Sequence, residues 1–258
     1  MTEPSLLVRH DPAIRTLTVA GTTQLTPGFV RVTVEGAELD GFTSRGPTDH
    51  VKLSFDAGDG SSETATRDYT PRAFRPAGDG RLPQLDIDFY SHASGGPATR
   101  WARGAVVDDV LTVRGPRASR LVPDGVGRVI LVADETALPA LARWIELLPE
   151  AVEILGIVEL GNESDAAYLE PAHVNRARVV WLDKRSGALE RSVRNVGTLG
   201  DDTYVWAAGE TTGLIPIRRY LRRECAMPAH RVKVDGYWKR GEAGHDHHAP
   251  IDPSDPLD

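Results

Sequence analysis

The stretch Leu121-Val-Pro-Asp-Gly-Val-Gly-Arg-Val-Ile-Leu-Val-Ala-Asp-Glu-Thr-Ala-Leu-Pro-Ala140 divides the sequence in two. Its first seven residues carry one proline and two glycines, the punctuation of a turn or linker. Over 128–133 the residues are then almost all apolar, with no polar alternation. That is how a strand buried on both faces reads. Asp134-Glu135-Thr136 interrupts the run, and a helical pattern covers 137–148. A buried strand leading directly into a helix is the opening unit of a parallel sheet with crossover helices.

The same grammar continues toward the C-terminus. Further strands are expected over 152–160, 178–182, 204–208 and 231–237, with a helix over 214–224. Apolar strands alternating with helices imply a parallel α/β sheet covered on both faces. Residues 242–258 are polar and rich in proline, and read as a disordered tail. Its run His245-Asp246-His247-His248 has metal-ligand residue types but no cysteine or further histidine nearby, so it reads as solvated and no metal is expected.

Upstream of residue 121 the texture differs. Segments 16–24 and 30–35 alternate apolar and polar residues, and short strands are expected again over 51–55, 85–90 and 110–113. Gly46-Pro47 and Gly58-Asp59-Gly60 mark turns between them. Evenly spaced short strands of this kind suggest a small antiparallel β-barrel. The expected organisation is a barrel domain over 1–122, an α/β domain over 123–241 and a tail over 242–258.

Bulk properties narrow the function. The chain of 258 residues has a formal net charge of −7, which argues against a general nucleic-acid binder. Cys225 is the single cysteine, so no intrachain disulfide can form, and a cytoplasmic protein is expected. No apolar run reaches the length of a membrane span, and residues 1–10 do not read as a signal segment. A monomer without membrane or nucleic-acid partners is the expectation.

Three segments of the barrel half carry chemistry. In Arg67-Asp68-Tyr69-Thr70-Pro71-Arg72, alternate residues of one strand share a face, so Arg67 and Tyr69 point together. A flavin needs such an aromatic wall and such a cation, and Thr70 can offer a hydroxyl or amide to the ring edge, with Pro71 ending the regular ladder. His92-Ala93-Ser94-Gly95-Gly96-Pro97-Ala98-Thr99-Arg100-Trp101-Ala102 follows a strand and opens a short helix. Its glycines and free helix amides suit a phosphate, and Pro97 suits the first helical position. Gly115-Pro116-Arg117-Ala118-Ser119 closes the barrel half, either as a linker turn or with Arg117 and Ser119 reaching FAD phosphates or adenine.

In the second half, Thr136 follows the first parallel strand, as a helix cap or facing the flavin or nicotinamide. Gly209-Glu210-Thr211 ends the fourth strand. Both lie at the carboxyl rim, where open α/β sheets bind ligands. Glu135 and Glu210 read equally well as solvated charges. Glu159 at the end of the second strand favours a bare ribose, whereas Lys184 and Arg185 after the third favour a 2′-phosphate, so NADH and NADPH stay open.

Together these segments resemble the siderophore-interacting family of FAD-binding ferric reductases. So do Asp134-Glu135-Thr136-Ala137-Leu138-Pro139-Ala140, Trp206-Ala-Ala-Gly-Glu210 and Gly236-Tyr237-Trp238-Lys239-Arg240-Gly241. The resemblance runs from about residue 15 to 241. It matches the family's Arg-x-Tyr-Thr at Arg67, Tyr69 and Thr70, and its His-Gly-x-x-Gly-Pro-Ala-Ser-x-Trp-Ala at His92, Gly96, Pro97, Ala98, Trp101 and Ala102. Ala93, Thr99 and Ala118 depart from its usual glycine, serine and glycine. The resemblance implies a ferredoxin-reductase-like pair, a Greek-key flavin barrel followed by a nucleotide-binding sheet. FAD is the implied cofactor and NADPH or NADH the electron donor. The implied cofactor-binding residues are Arg67, Tyr69, Thr70, His92, Gly96, Pro97, Ala98, Thr99, Trp101, Ser119, Thr136, Gly209, Glu210 and Trp238. The implied substrate is a ferric siderophore, met by Lys52, Lys239 and Arg240 in a basic pocket beside the flavin. No general acid or nucleophile is required. A reductase serving a protein or free flavin, and a non-catalytic siderophore carrier, are the competing readings.

Overall fold

The computed structural model describes residues 6–56, 64–91, 95–246 and 249–255. The chain folds as two compact units, one of Leu7–Leu121 and one built on Val122–Asp258.

The first unit contains strands β1 (Leu7–Arg9), β2 (Ile14–Thr26), β3 (Phe29–Glu35), β4 (Val51–Asp56), β5 (Thr64–Tyr69), β6 (Pro71–Arg75), β7 (Gln84–Tyr90), β8 (Val110–Arg114) and β9 (Ala118–Arg120). Seven of them form an antiparallel sheet in the order β5-β4-β8-β2-β3-β7-β6, and β1 pairs with β9. The two edge strands, β5 and β6, are consecutive in the chain and joined by Thr70 alone. Edges one residue apart require the sheet to curl until they meet, which makes it a barrel. β8 returns from the far end of the unit to lie between β4 and β2, a Greek-key connection. Alternation fills the interior: Leu17, Val32, Val34, Leu53, Leu85, Ile87, Phe89, Leu111 and Val113 are all buried. Helix α1 (Pro97–Gly104) adds Ala98 and Ala102 to this core.

β1, β6 and β9 were not expected from sequence. β1 and β9 are three residues each, too short for a periodicity to show. Pro71 does not end the ladder; it begins β6, opposite Ile87, where a strand's first residue can lack an N–H. β5 starts at Thr64, three residues ahead of the Arg67 motif, and is polar and half-buried along much of its length.

The second unit alternates β10 (Arg128–Asp134), α2 (Leu138–Leu147), β11 (Glu153–Leu160), α3 (Pro171–Arg176), β12 (Arg178–Asp183), α4 (Leu189–Arg194), β13 (Thr203–Glu210), α5 (Thr211–Arg219) and β14 (Val232–Trp238). The five strands are parallel, in the order β12-β11-β10-β13-β14. β10 and β13 are buried along nearly their whole length, as their apolar composition requires. α5 starts three residues before the expected position because the Glu210 side chain accepts from the Gly213 amide and caps it.

The tail is a correction. Residues 249–255 are not detached: Ile251 is buried, Asp252 is buried and bound by Arg219 at 2.6 Å, and Asp255 meets Arg218 and Arg223. Three arginines spaced along α5 and the segment after it supply the partners that the polar composition of the tail alone does not reveal. His247 and His248 lie outside the described residues, and no cluster of metal-ligating groups occurs among the described ones. No described helix is long and apolar enough to cross a membrane.

Candidate functional site

In the barrel unit the candidate residues gather around the Thr70 junction and the start of α1. Cross-strand partners share a face, and β5 pairs Leu53 with Arg67 and Val51 with Tyr69. Arg67 and Tyr69 therefore take the face of β5 that lines the core. The Tyr69 ring packs on Phe89 at 4.5 Å between centroids, and burial pushes its phenol well above the ordinary value, with Arg67 opposing. Thr70 is buried where the two edges meet. Trp101 stacks against Phe55 and Phe89 at 5.3 and 5.8 Å, so much of its surface serves packing. Thr99 is buried and donates to the Tyr90 carbonyl at 3.4 Å. Gly96 precedes α1 in extended conformation, Pro97 opens the helix, and a side chain at Gly96 would meet nothing within 4 Å. His92 lies outside the described residues.

These features fit a flavin nucleotide. The Ser91 hydroxyl, at the entrance to the α1 segment, is buried without a partner among the described residues. A Cβ at Gly96, just ahead of α1, would meet nothing within 4 Å, so the backbone there is open to close approach by a phosphate. Arg67 donates to the Thr66 carbonyl at 2.7 Å through Nη1, one nitrogen of a guanidinium that carries five N–H donors.

Ser119 does not belong with them. It is fully buried, and its hydroxyl donates to Asp49 at 2.6 Å while accepting from the Arg45 amide at 3.0 Å and meeting His10 at 2.8 Å. The pairing of β9 with β1 pulls it inward, a long-range contact that its turn-like neighbours Gly115-Pro116 do not announce.

Lys52 is likewise on the other face of β4 and β5 from Arg67 and Tyr69. It bridges its ladder partner Asp68 at 2.9 Å and remains half-exposed. Lys239 and Arg240 belong to the other unit, both exposed; Lys239 meets Glu242 at 3.0 Å, and the Arg240 amide donates to Glu210 at 3.2 Å.

The carboxyl rim of the parallel sheet holds the second candidate site, and one residue organises it. Asp134, buried at the end of β10, accepts through Oδ1 from the Thr136 amide (2.9 Å) and hydroxyl (2.5 Å). Through Oδ2 it accepts from the Glu210 amide (3.0 Å) and the Trp238 indole N–H (2.8 Å). Gly209 has φ +146°, and a Cβ there would stand 2.7 Å from Asp134 Cγ, so only glycine leaves the carboxylate its place. Thr136, Gly209 and Glu210 thus meet at one rim, and Trp238 joins them there, around an aspartate to which the sequence alone assigned no role.

Several expectations at the rim change. Asp134, not Thr136, caps the turn at Glu135–Ala137, because its carboxylate reaches the Thr136 amide. Glu135 is no solvated charge: it is buried, accepting from the Gly161 amide at 2.6 Å and bridging Lys184 at 2.7 Å. Glu210 caps α5. Lys184 stands 3.7 Å from Asp134 and 5.1 Å from the Trp238 ring centroid, and Arg185 is bound by Asp183 at 2.7 Å. Both cations offered for a 2′-phosphate are therefore already engaged by carboxylates. Burial raises the Asp134 carboxyl above the ordinary range while Lys184 opposes it. Burial disfavours the Lys184 ammonium, yet Asp134, Glu135 and Glu159 raise its pKa overall.

An antiparallel Greek-key barrel followed by a parallel nucleotide-type sheet defines the ferredoxin-reductase-like class, in which flavin and nicotinamide sites occupy successive domains. Within that class the match is specific. The family model described as the siderophore-interacting FAD-binding domain matches residues 18–65 and 57–120, and the one described as siderophore-interacting protein matches 126–241. The NADPH-dependent ferric-chelate reductase of Escherichia coli (strain K12) is 33% identical over 250 residues, spanning 90% of this chain and 95% of that protein. Ferric vibriobactin reductase ViuB of Vibrio cholerae is 25% identical over 236 residues, 83% of this chain and 85% of that one. The crystal structure of a siderophore utilization protein from T. fusca has a TM-score of 0.84 and 32% identity, covering 95% of this chain and 99% of that one. The chain belongs to the siderophore-interacting protein family.

Proposed function

We propose that this protein is a flavin-dependent ferric-siderophore reductase, moving electrons from NADPH or NADH through FAD to the chelated Fe(III). The carrying observation is that one chain holds both the Arg67, Tyr69, Thr70 and Gly96–Pro97 surroundings in the barrel and the rim built on Asp134. Bound FAD supplies the adaptor chemistry, two-electron acceptance from nicotinamide and one-electron delivery to iron. Hard oxygen donors hold Fe(II) far less tightly than Fe(III), so reduction alone releases the metal.

The residues have separable tasks. Arg67 and the amides at the start of α1 hold the phosphates, while Tyr69 and Thr70 set the ring and its edge. Ala98, Thr99 and Trp101 anchor α1 to the barrel core so that those amides stay in place. Thr136, Gly209, Glu210 and Trp238 form the electron-donor site. Lys52 in the barrel unit supplies short-range attraction for an anionic chelate, which an acidic protein does not attract at long range, and Lys239 and Arg240 carry further exposed positive charge on the α/β unit. Residues 1–122 and 123–241 serve as the FAD and nucleotide domains of a cytoplasmic monomer.

The test is anaerobic visible spectroscopy. The purified protein is expected to be yellow, to bleach on addition of NADPH or NADH, and to recover colour when a ferric siderophore is added, with Fe(II) captured by a ferrous-specific dye. A colourless protein that takes up no added FAD sinks the proposal.

A further inference from the structure

Of the rim residues, Asp134 is the one bonded to three of the proposed electron-donor contacts and packed against the fourth. Oδ1 serves Thr136; Oδ2 serves Glu210 and Trp238; Gly209 has no side chain because the carboxylate fills that space. We infer that Asp134 is the positioning residue of the nicotinamide site, that Lys184 is its counter-ion, and that the pair acts by fixing Trp238. The inference rests on the proposed function, since that reading puts the nicotinamide at this rim.

The geometry holds Trp238 in two ways. Its indole edge donates to Asp134, and its face receives the Lys184 ammonium. The ring is nonetheless only half-buried. A half-exposed aromatic side chain would otherwise sample several rotamers, and here it is pinned by a buried carboxylate. Replacing a buried ion pair by apolar residues of similar volume is often neutral or stabilising. Stability alone therefore gives a weak reason for an aspartate and a lysine at this depth, whereas aiming an indole gives a direct one. The same carboxylate also spans β10, β13 and β14, so the contact positions they carry move together or not at all.

A double-mutant cycle tests this on the FAD-loaded protein. In Asp134→Asn one oxygen can still serve Thr136, but the amide NH2 then faces two donors, the Glu210 N–H and the Trp238 N–H. Trp238→Phe keeps an aromatic ring and loses the donor. NADP+ and NAD+ affinity is read by isothermal titration calorimetry, and flavin bleaching by stopped flow, with the thermal midpoint as a control. Each single variant is expected to weaken dinucleotide affinity and slow bleaching by roughly 10- to 100-fold, the scale of a small misplacement of a reacting group. The double variant is expected to be no worse than the worse single one, because both break the same contact.

Independent, multiplying effects would overturn the inference. So would Asp134→Asn that lowers the thermal midpoint yet leaves affinity and bleaching as in wild type. If Asp134→Asn does not fold, Lys184→Met is paired instead with Trp238→Leu, which loses the ring face that the ammonium meets, with the same expected non-additivity and the same refuting result. Wild-type protein that binds neither NADP+ nor NAD+ overturns the proposed function, and the positioning role with it. Wild-type binding with additive variants overturns the positioning role alone.

Discussion

Gly209→Ala is the smallest change with a large calculable effect. The added Cβ would sit 2.7 Å from Asp134 Cγ, 2.8 Å from Oδ2 and 3.1 Å from Oδ1. Carbon atoms prefer about 3.5–4.0 Å, so the carboxylate must retreat by about 1 Å. It is no free end of a flexible chain, since four hydrogen bonds hold it. The backbone at φ +146° costs a non-glycine residue roughly 1–3 kcal/mol. Overpacking adds roughly 1–3 kcal/mol. The total, about 2–6 kcal/mol, lowers the unfolding midpoint by about 4–24 °C. Differential scanning calorimetry measures this. The yellow colour should persist, because the proposed flavin contacts lie in the other unit, while the KM for nicotinamide rises as Thr136, Glu210 and Trp238 shift. A Gly209→Ala protein within about 1 °C of wild type, with unchanged bleaching kinetics, would refute both the close approach and the assignment of the rim.

Further outcomes are expected. Arg67→Ala should loosen FAD by about 10- to 100-fold, the loss of a charge-assisted bond worth roughly 1.5–3 kcal/mol, measured by fluorescence of released flavin. Lys52→Ala should raise the KM for an anionic ferric chelate more than for a neutral one, with the difference shrinking as salt rises; equal losses would assign Lys52 a structural role through Asp68. Hydrogen bonds from Arg219 and Ser254 hold Asp252 down to about 2. Its share of tail docking is therefore fully present above the unfolded value near ~3.9 and is lost as the pH falls toward 2. Hydrogen exchange at residues 249–255 should rise over that window, and Arg219→Ala should raise it already at neutral pH.

The parallel sheet was legible because β10 and β13 are buried on both faces, and an unbroken apolar run of strand length is the direct mark of such burial. The barrel was legible where one face is wet, as over 14–19 in β2 and 30–35 in β3, which alternate strictly. β5 was harder, because an edge strand carrying Arg67 and Asp68 has no apolar period to read, and only its motif end stood out. The roles of Asp134 and Ser119 depend on partners far away in sequence. Trp238 is 104 residues beyond Asp134, and Asp49 is 70 residues before Ser119. An aspartate ending an apolar strand looks solvated until those partners are placed. The resemblance offered Thr136, Gly209, Glu210 and Trp238 as candidate contacts; Asp134 stood in one of its segments but was given no role.

Leu7 faces Arg120 in the short ladder of β1 and β9, so the chain enters and leaves the barrel unit side by side. A unit whose ends already meet can be cut out, or given new ends, without parting any strand from its neighbour. Joining residues 7 and 121 by a short linker and opening the exposed turn at Asp79–Gly80 would reorder the barrel's sequence while keeping every pairing in its sheet. The flavin half of this protein is in that sense a cassette, its two ends held together by the β1–β9 ladder.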